Sequence, residues 1–273
     1  MTGRSERALN YAILLVFSFI ALAPLVGILL AAFQRPEALT TGFSLPDGLH
    51  FDNFERAWKQ AEFGSALRSS AIITVTTVAV STVLSVLAGY AFGTMRFRGD
   101  TVLFYVFIVG LVMPFEATII PLYYDLRRFG LTDTYWGVIL PSVALSIAFG
   151  TFWMRAFFLS APRSLIEAAR IDGASSLTTL RRVLLPFGRP AVLTMMVLVF
   201  MFTWNDFLLS LVMLNSPEIQ TAPLKLALFQ GRRTSDIQGL AAGAVIVALP
   251  VVVVYLFLQR HFIRGMLSGA LKT

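Results

Sequence analysis

The sequence contains no cysteine, which excludes disulfides, thiolate zinc or iron–sulfur sites, and a thiol nucleophile. Histidine is nearly absent as well. His50 and His261 are expected on opposite sides of the apolar segments between them, so they cannot share one metal or acid–base site. The only lysines are Lys59, Lys225 and Lys272, none follows a glycine-rich loop, and no G-x-x-x-x-G-K-[ST] occurs. No catalytic constellation, metal site or nucleotide cofactor is therefore expected on this chain. Charge of either sign is scarce, at 14% of the 273 residues, against roughly 25% in an ordinary soluble domain. The net charge of +7 does not point to nucleic acid, because the basic residues lie in short loops beside apolar runs, where they act as topology signals.

Apolar sequence dominates instead, at 57% of residues. It is gathered into six runs, about 10–33, 65–92, 101–121, 134–158, 190–212 and 239–259, each near the roughly 20 residues that a helix needs to cross a bilayer. These runs and their connections use up the length, so a second soluble domain does not fit. The fold class expected is all-α: a polytopic membrane protein with six transmembrane helices, in contact with lipid, forming a single transmembrane domain over 1–273.

The first run has a cleaved secretory signal as its alternative reading. It is longer than the apolar core of a signal, and Ala21-Leu22-Ala23 is followed by Pro24 and more apolar sequence, so an uncleaved span is preferred. Two G-x-x-x-G pairs, Gly89 with Gly93 and Gly239 with Gly243, either allow close helix approach or reflect the general abundance of small residues in membrane helices. In the third run, Pro114 and Pro121 interrupt a stretch holding Glu116, Asp125, Arg127 and Arg128, too polar to face lipid.

Between the fourth and fifth runs lies the one long polar, basic segment, 164–186. Ser164 and Glu167 have the spacing of a capping box, which predicts a helix start there. Gly173 predicts a left-handed stop after roughly two turns. Ser175 and Ser176 offer a second start, and Pro186 and Pro190 mark the approach to the next span. The expected product is a helix–turn–helix with small side chains, Ala168 and Ala169, on a short exposed helix. Placing both chain ends on one side puts Arg96, Arg98, Arg155, this segment's arginines and the basic tail 260–273 on that side. Thirteen of the 22 Lys and Arg then fall there, so both termini and the segment are expected to be cytoplasmic. Asn205 and Asp206, beside Trp204, lie within the fifth run. An intramembrane carboxylate lines a path or bonds a neighbouring helix, and Trp204 serves either packing or interfacial anchoring; these alternatives stay open.

Glu167-Ala168-Ala169, Gly173, Val183, Leu185 and Pro186 stand in the order EAA-x3-G-x9-I-x-L-P, with Val183 in place of Ile. The chain in this respect resembles the permease subunits of ABC importers, members of binding-protein-dependent transport systems of the prokaryotic inner membrane. Trp204-Asn205-Asp206-Phe207 and the tail Gly265 to Lys272 are similar to the shorter permease subunit of maltose-type sugar importers. The resemblance implies that Glu167, Ala168, Ala169, Asp172, Gly173, Leu185 and Pro186 couple the spans to an ATP-binding subunit, which carries ATP and Mg. It also implies a second homologous permease, an extracytoplasmic solute-binding protein, and a tail whose Gly265, Gly269, Ala270 and Lys272 contact the ATPase. Trp204, Asn205 and Asp206 are the candidates for the translocation path. The function expected is import of a sugar or oligosaccharide. The alternatives are a non-sugar solute handled the same way, or an ATP-independent secondary transporter, which would want inverted repeats and more intramembrane charge than Asp206.

Overall fold

The structure is a computed structural model that describes residues 4–35, 43–230 and 236–270, the side chains of 4, 5 and 260–270 excepted. Among the described residues no strand occurs and helices carry the fold. In chain order they are α1 (Arg4–Ala32), α2 (Asp52–Gln60), α3 (Phe63–Thr94), α4 (Asp100–Val112), α5 (Phe115–Arg128), α6 (Tyr135–Ser160), α7 (Arg163–Ile171) and α8 (Ser176–Phe187). These are followed by α9 (Arg189–Trp204), α10 (Leu208–Met213), the single turn α11 (Ala222–Lys225) and α12 (Ile237–Ala270). The middle of α8, Leu180–Leu184, is wound as a π-helix.

Four of these helices, over Glu6–Ala32, Phe63–Thr94, Tyr135–Ser160 and Ile237–Gln259, are long and apolar enough to cross a membrane. Two bent pairs bring the possible number of spans to six: α4 with α5, at 98°, and α8 with α9, at 81°. The third expected span, 101–121, thus contains a sharp corner. Pro114 is extended there, with ψ of 110°, and Phe115 starts a new helix. Proline cannot supply the amide that would carry α4 onward, so the corner follows from the residue type. Over the fifth expected span, 190–212, α9 has only 16 residues, a break follows at 205–207, and α10 resumes at Leu208. At about 1.5 Å per residue, α9 alone falls short of a ~30 Å hydrocarbon core, and the segment through α10 is needed to complete the crossing.

The chain divides into two compact units. The first comprises Met1–Gly64 with Lys225–Pro250. In it α1 is apolar on every side and, from Glu6 to Leu22, exposed all round, the pattern of a helix whose solvent is lipid. Its last carbonyl is not left open: the Asn53 amide donates to Ala32 O at 3.0 Å and, just beyond the helix, to Gln34 O at 2.7 Å. Lys225, buried, reaches the exposed Glu62 carboxylate at 3.2 Å, and Arg56 reaches Asp236 at 3.3 Å. Of the second G-x-x-x-G pair, Gly243 admits the side chains of Leu226 and of Phe63, the first residue of α3.

The second unit comprises Ser65–Leu224 with Val251–Thr273. Its close contact is between α3 and α6. A Cβ built on Gly89 would stand 2.5 Å from Met154 Cβ, and one on Gly93 would stand 2.7 Å from Phe158 Cβ. The first glycine pair therefore does bring two helices together, each glycine facing a large residue one turn further along the partner. Met154 and Phe158 belong to a core shared with Tyr90, Leu180, Leu184, Met195 and Val199, drawn from α3, α6, α8 and α9. A second core joins Ile119 and Leu126 of α5, Val138, Ile139 and Val143 of α6, and Leu209 and Met213 of α10.

Candidate functional site

The polar segment folds as two short helices joined by a tight turn. Helix α7 begins two residues earlier than the capping-box spacing predicts. Pro162 is the residue before it, with ψ of 122°, and no side chain caps it. Ser164 therefore sits inside the first turn, where its hydroxyl cannot serve as the N-cap. The reason lies in Pro162: its fixed φ already suits the entry to a helix, and its lack of an amide is no loss there. The capping box is not formed, which frees the exposed Glu167 for other contacts.

The stop is as the sequence implies. Gly173 has φ of +75°, its N–H donates to Arg170 O at 3.0 Å, and the Ala174 N–H donates to Ala169 O at 2.9 Å. This pair of crossing bonds is the Schellman closure, and it requires a left-handed residue at Gly173. Two residues on, Ser175 starts α8 and its hydroxyl accepts from Thr178 N–H. The resulting hairpin is rigid at its tip and anchored at its base. Ala169 and Ile166 face inward, while Leu180 and Leu184 are buried in the core shared with α3, α6 and α9. The base of the hairpin is thus packed against side chains of three longer helices.

The outward surface of α7 carries Glu167, Ala168, Arg170, Asp172 and, less expectedly, Ile171, which is 86% exposed. Sequence reasoning did not single out Ile171. The signal was available: Leu165, Ile166 and Ala169 make the inward stripe at helical spacing, and Ile171 falls off it. Leu177 of α8 is a second exposed apolar residue on the same hairpin. Leu185 is half-buried and Pro186 exposed in the last turn of α8. The chain then turns at Gly188, where a Cβ would meet the Phe157 ring at 2.6 Å, and Arg189 opens α9.

Trp204 is the last residue of α9, and Asn205 and Asp206 lie in the break between α9 and α10. Trp204 is buried and stacks on Phe200, ring centroids 5.6 Å apart. Asn205 is exposed and its amide donates to Met201 O at 2.8 Å, closing the end of α9. The carboxylate of Asp206, half-buried, accepts from the Ser210 N–H at 3.1 Å and the Ser210 hydroxyl at 3.2 Å, opening α10. Both polar residues thus satisfy backbone ends that a broken membrane helix leaves open. A further polar feature was not expected: Ser70, Thr74, Thr77, Ser81 and Ser85 form a buried stripe along α3. Of these, the Ser70 hydroxyl accepts from the Ala222 N–H at 2.9 Å and Ser81 donates to Thr77 O at 2.6 Å. The tail residues Gly265, Gly269 and Ala270 lie on the backbone of α12 but their surroundings, and Lys272 altogether, lie outside the described residues.

Residues 81–268 match the family of binding-protein-dependent transport system inner membrane components. This chain belongs to that family. The match contains the hairpin, its glycine turn and the broken fifth crossing, and the family is that of multi-pass ABC-importer permeases. The chain is 31% identical to the diacetylchitobiose uptake system permease protein of Streptomyces coelicolor, over 99% of this chain and 91% of that one. It is 32% identical to the trehalose transport system permease protein of Mycobacterium tuberculosis, over 98% and 99% of the two chains. Among solved structures it is similar to a chain of a bacterial ABC transporter involved in import of the acidic polysaccharide alginate. The TM-score is 0.80 at 27% identity, covering 96% of this chain and 99% of the other.

Proposed function

We propose that this permease forms half of the translocation path of an ATP-driven importer for a sugar or an oligosaccharide. A second, homologous permease completes the path, and an extracytoplasmic binding protein delivers the solute. The observation that carries the reading is the hairpin: a short helix, stopped by Gly173, presenting Glu167, Ala168 and Ile171 outward while its base is buried among the long helices. Such a projection suits a cleft on an ATP-binding subunit, and closure of that subunit around ATP and Mg moves the helices behind it. Both termini and the hairpin lie on the cytoplasmic side in this reading, in agreement with the bias of arginines toward that side. Trp204, Asn205 and Asp206 line the path at the broken crossing, and the tail with Gly265, Gly269, Ala270 and Lys272 reaches the ATPase. The sugar class is supported by the diacetylchitobiose and trehalose permeases among the relatives.

The rearrangement needs a differential affinity of the partners for the inward-facing and outward-facing states. The hairpin supplies a contact that can differ between them. To test the proposal, the tagged chain is purified from its native membrane in mild detergent and the proteins retained with it are identified by mass. Recovery of a second permease and an ATP-binding subunit is expected, and the ligand of the cognate binding protein then names the solute. A chain recovered alone that moves solute into liposomes without ATP would overturn the proposal in favour of a secondary transporter.

A further inference from the structure

Helices α8 and α9 meet at 81°, and a groove of ≈ 390 Å³ lies across the bend, lined by Arg181, Leu185, Pro186, Arg189, Val192 and Leu193. The residues from α8 and those from α9 each recur at helical spacing, so one face continues through the corner. Its composition is unusual for a soluble surface: four apolar residues flanked by two arginines, with no carboxylate in the lining. Both arginines are exposed. A second basic cleft on this unit, lined by Arg96, Arg163 and Arg170, has Glu167 and Asp100 among its walls and so carries its own countercharge.

We propose that the groove holds one anionic phospholipid, its phosphate between Arg181 and Arg189 and the start of an acyl chain along Leu185, Val192 and Leu193. The inference rests on the cytoplasmic placement of the hairpin proposed above. Three features favour this occupant. The guanidinium groups are the side chains best suited to a phosphate, through paired N–H donors. Arg181, in the π-wound middle of α8, and Arg189, the first residue of α9, flank the corner at which α9 enters the headgroup layer, and anionic lipid is concentrated in the cytoplasmic leaflet. The apolar part of the groove runs from there onto the side of α9, a helix that enters the bilayer, and Phe187 beside it is half exposed and apolar. Because Leu184, next in the chain to the lining residue Leu185, is fully buried in the core with Met195 and Val199, a lipid seated here would brace the elbow through which the hairpin is joined to α9.

The test uses the complex purified with its partners, titrated with phosphatidylglycerol or phosphatidylcholine and read by native mass spectrometry. The wild type is expected to retain one phosphatidylglycerol and no phosphatidylcholine at matched concentration. Combined Arg181→Gln and Arg189→Gln should weaken that retention about thirtyfold, given what each basic residue contributes near an anionic surface. Arg181→Lys with Arg189→Lys should recover part of it, and Arg96→Gln should leave it unchanged. Equal retention of both lipids, unchanged retention in the double glutamine variant, or equal loss in Arg96→Gln would overturn the proposal. Loss of the ATP-binding subunit from the double glutamine variant, with lipid retained, would assign the groove to a protein contact instead. The same spectra count the partner subunits in the wild type, so failure of the transport reading shows separately as a chain without an ATPase.

Discussion

Gly89 of α3 and Met154 of α6 are in such close contact that a Cβ on the glycine would lie 2.5 Å from the methionine Cβ and 3.0 Å from the Arg155 nitrogen. Neither neighbour is the loose end of a flexible chain, so a side chain at 89 must part the helices. Gly89→Leu should lower the melting temperature of the detergent-solubilised protein by an amount equivalent to about 1–3 kcal/mol of overpacking or more. Gly110→Ala is the control, since nothing lies within 4 Å of the Cβ it would add, and it should melt as the wild type does.

At Gly173 the limitation is the opposite one. Nothing lies within 4 Å of an added Cβ, yet φ is +75°. The cost of substitution is therefore conformational, of order 1–2 kcal/mol for a residue with a Cβ, and larger in effect for a β-branched one. Gly173→Val should leave insertion intact and abolish uptake, while Gly173→Asn should retain most of it, because asparagine tolerates the left-handed turn. Uptake of labelled solute by cells carrying each variant, normalised to membrane levels of the protein, separates the two; equal activity would contradict the role of the turn.

Asp206 offers a way to separate structure from transport. Its carboxylate caps α10 through Ser210, and removal of such a cap costs about 1 kcal/mol. Asp206→Ala should lower the melting temperature. Asp206→Asn retains an acceptor and should melt near the wild type. If the asparagine variant also transports normally, the residue is a cap only; reduced uptake at unchanged stability is the result expected from a residue on the path.

Asp133, in the turn before α6, accepts from the backbone N–H of Asn215 at 2.9 Å and of Ser216 at 2.8 Å, and from the Ser216 hydroxyl. These donors, the Ser216 hydroxyl first, hold its pKa below the ordinary carboxylate value. A depressed pKa means that the contribution to stability is present above the unfolded value of about 3.9 and is lost as pH falls through the folded value. Asp133→Asn, which suits the φ of +57° at this position, should therefore melt below the wild type at neutral pH. The difference should shrink below about pH 4. A difference that persists unchanged in acid would point to shape rather than charge.

Much of this fold could be read from residue order because the governing features are local. Gly173 as a stop and Ser175 as a start each depend on a few neighbouring residues, and the structure has them where the sequence puts them. Features that depend on what comes from elsewhere in the chain were not legible. The Ser164–Glu167 spacing is a valid capping signal until Pro162 starts the helix ahead of it. Asn205 and Asp206 mark a polar site in the sequence, but that they end one helix and begin another depends on how Ser210 and Met201 are presented to them. In the Gly89 pair the spacing only permitted close approach, and it is the opposing Met154 and Phe158 that required it.

The docking of α7 onto an ATP-binding subunit can be tested at Ile171. The chain has no cysteine, so Ile171→Cys introduces a single thiol on the exposed tip of the hairpin. Loaded with a short photo-crosslinker in native membranes, it should give one adduct with the mass of this chain plus the ATP-binding subunit. The same reaction at Leu9→Cys, on the exposed surface of α1, should not. A thiol at 171 that is labelled in full yet yields no adduct with an ATPase would contradict the proposed coupling.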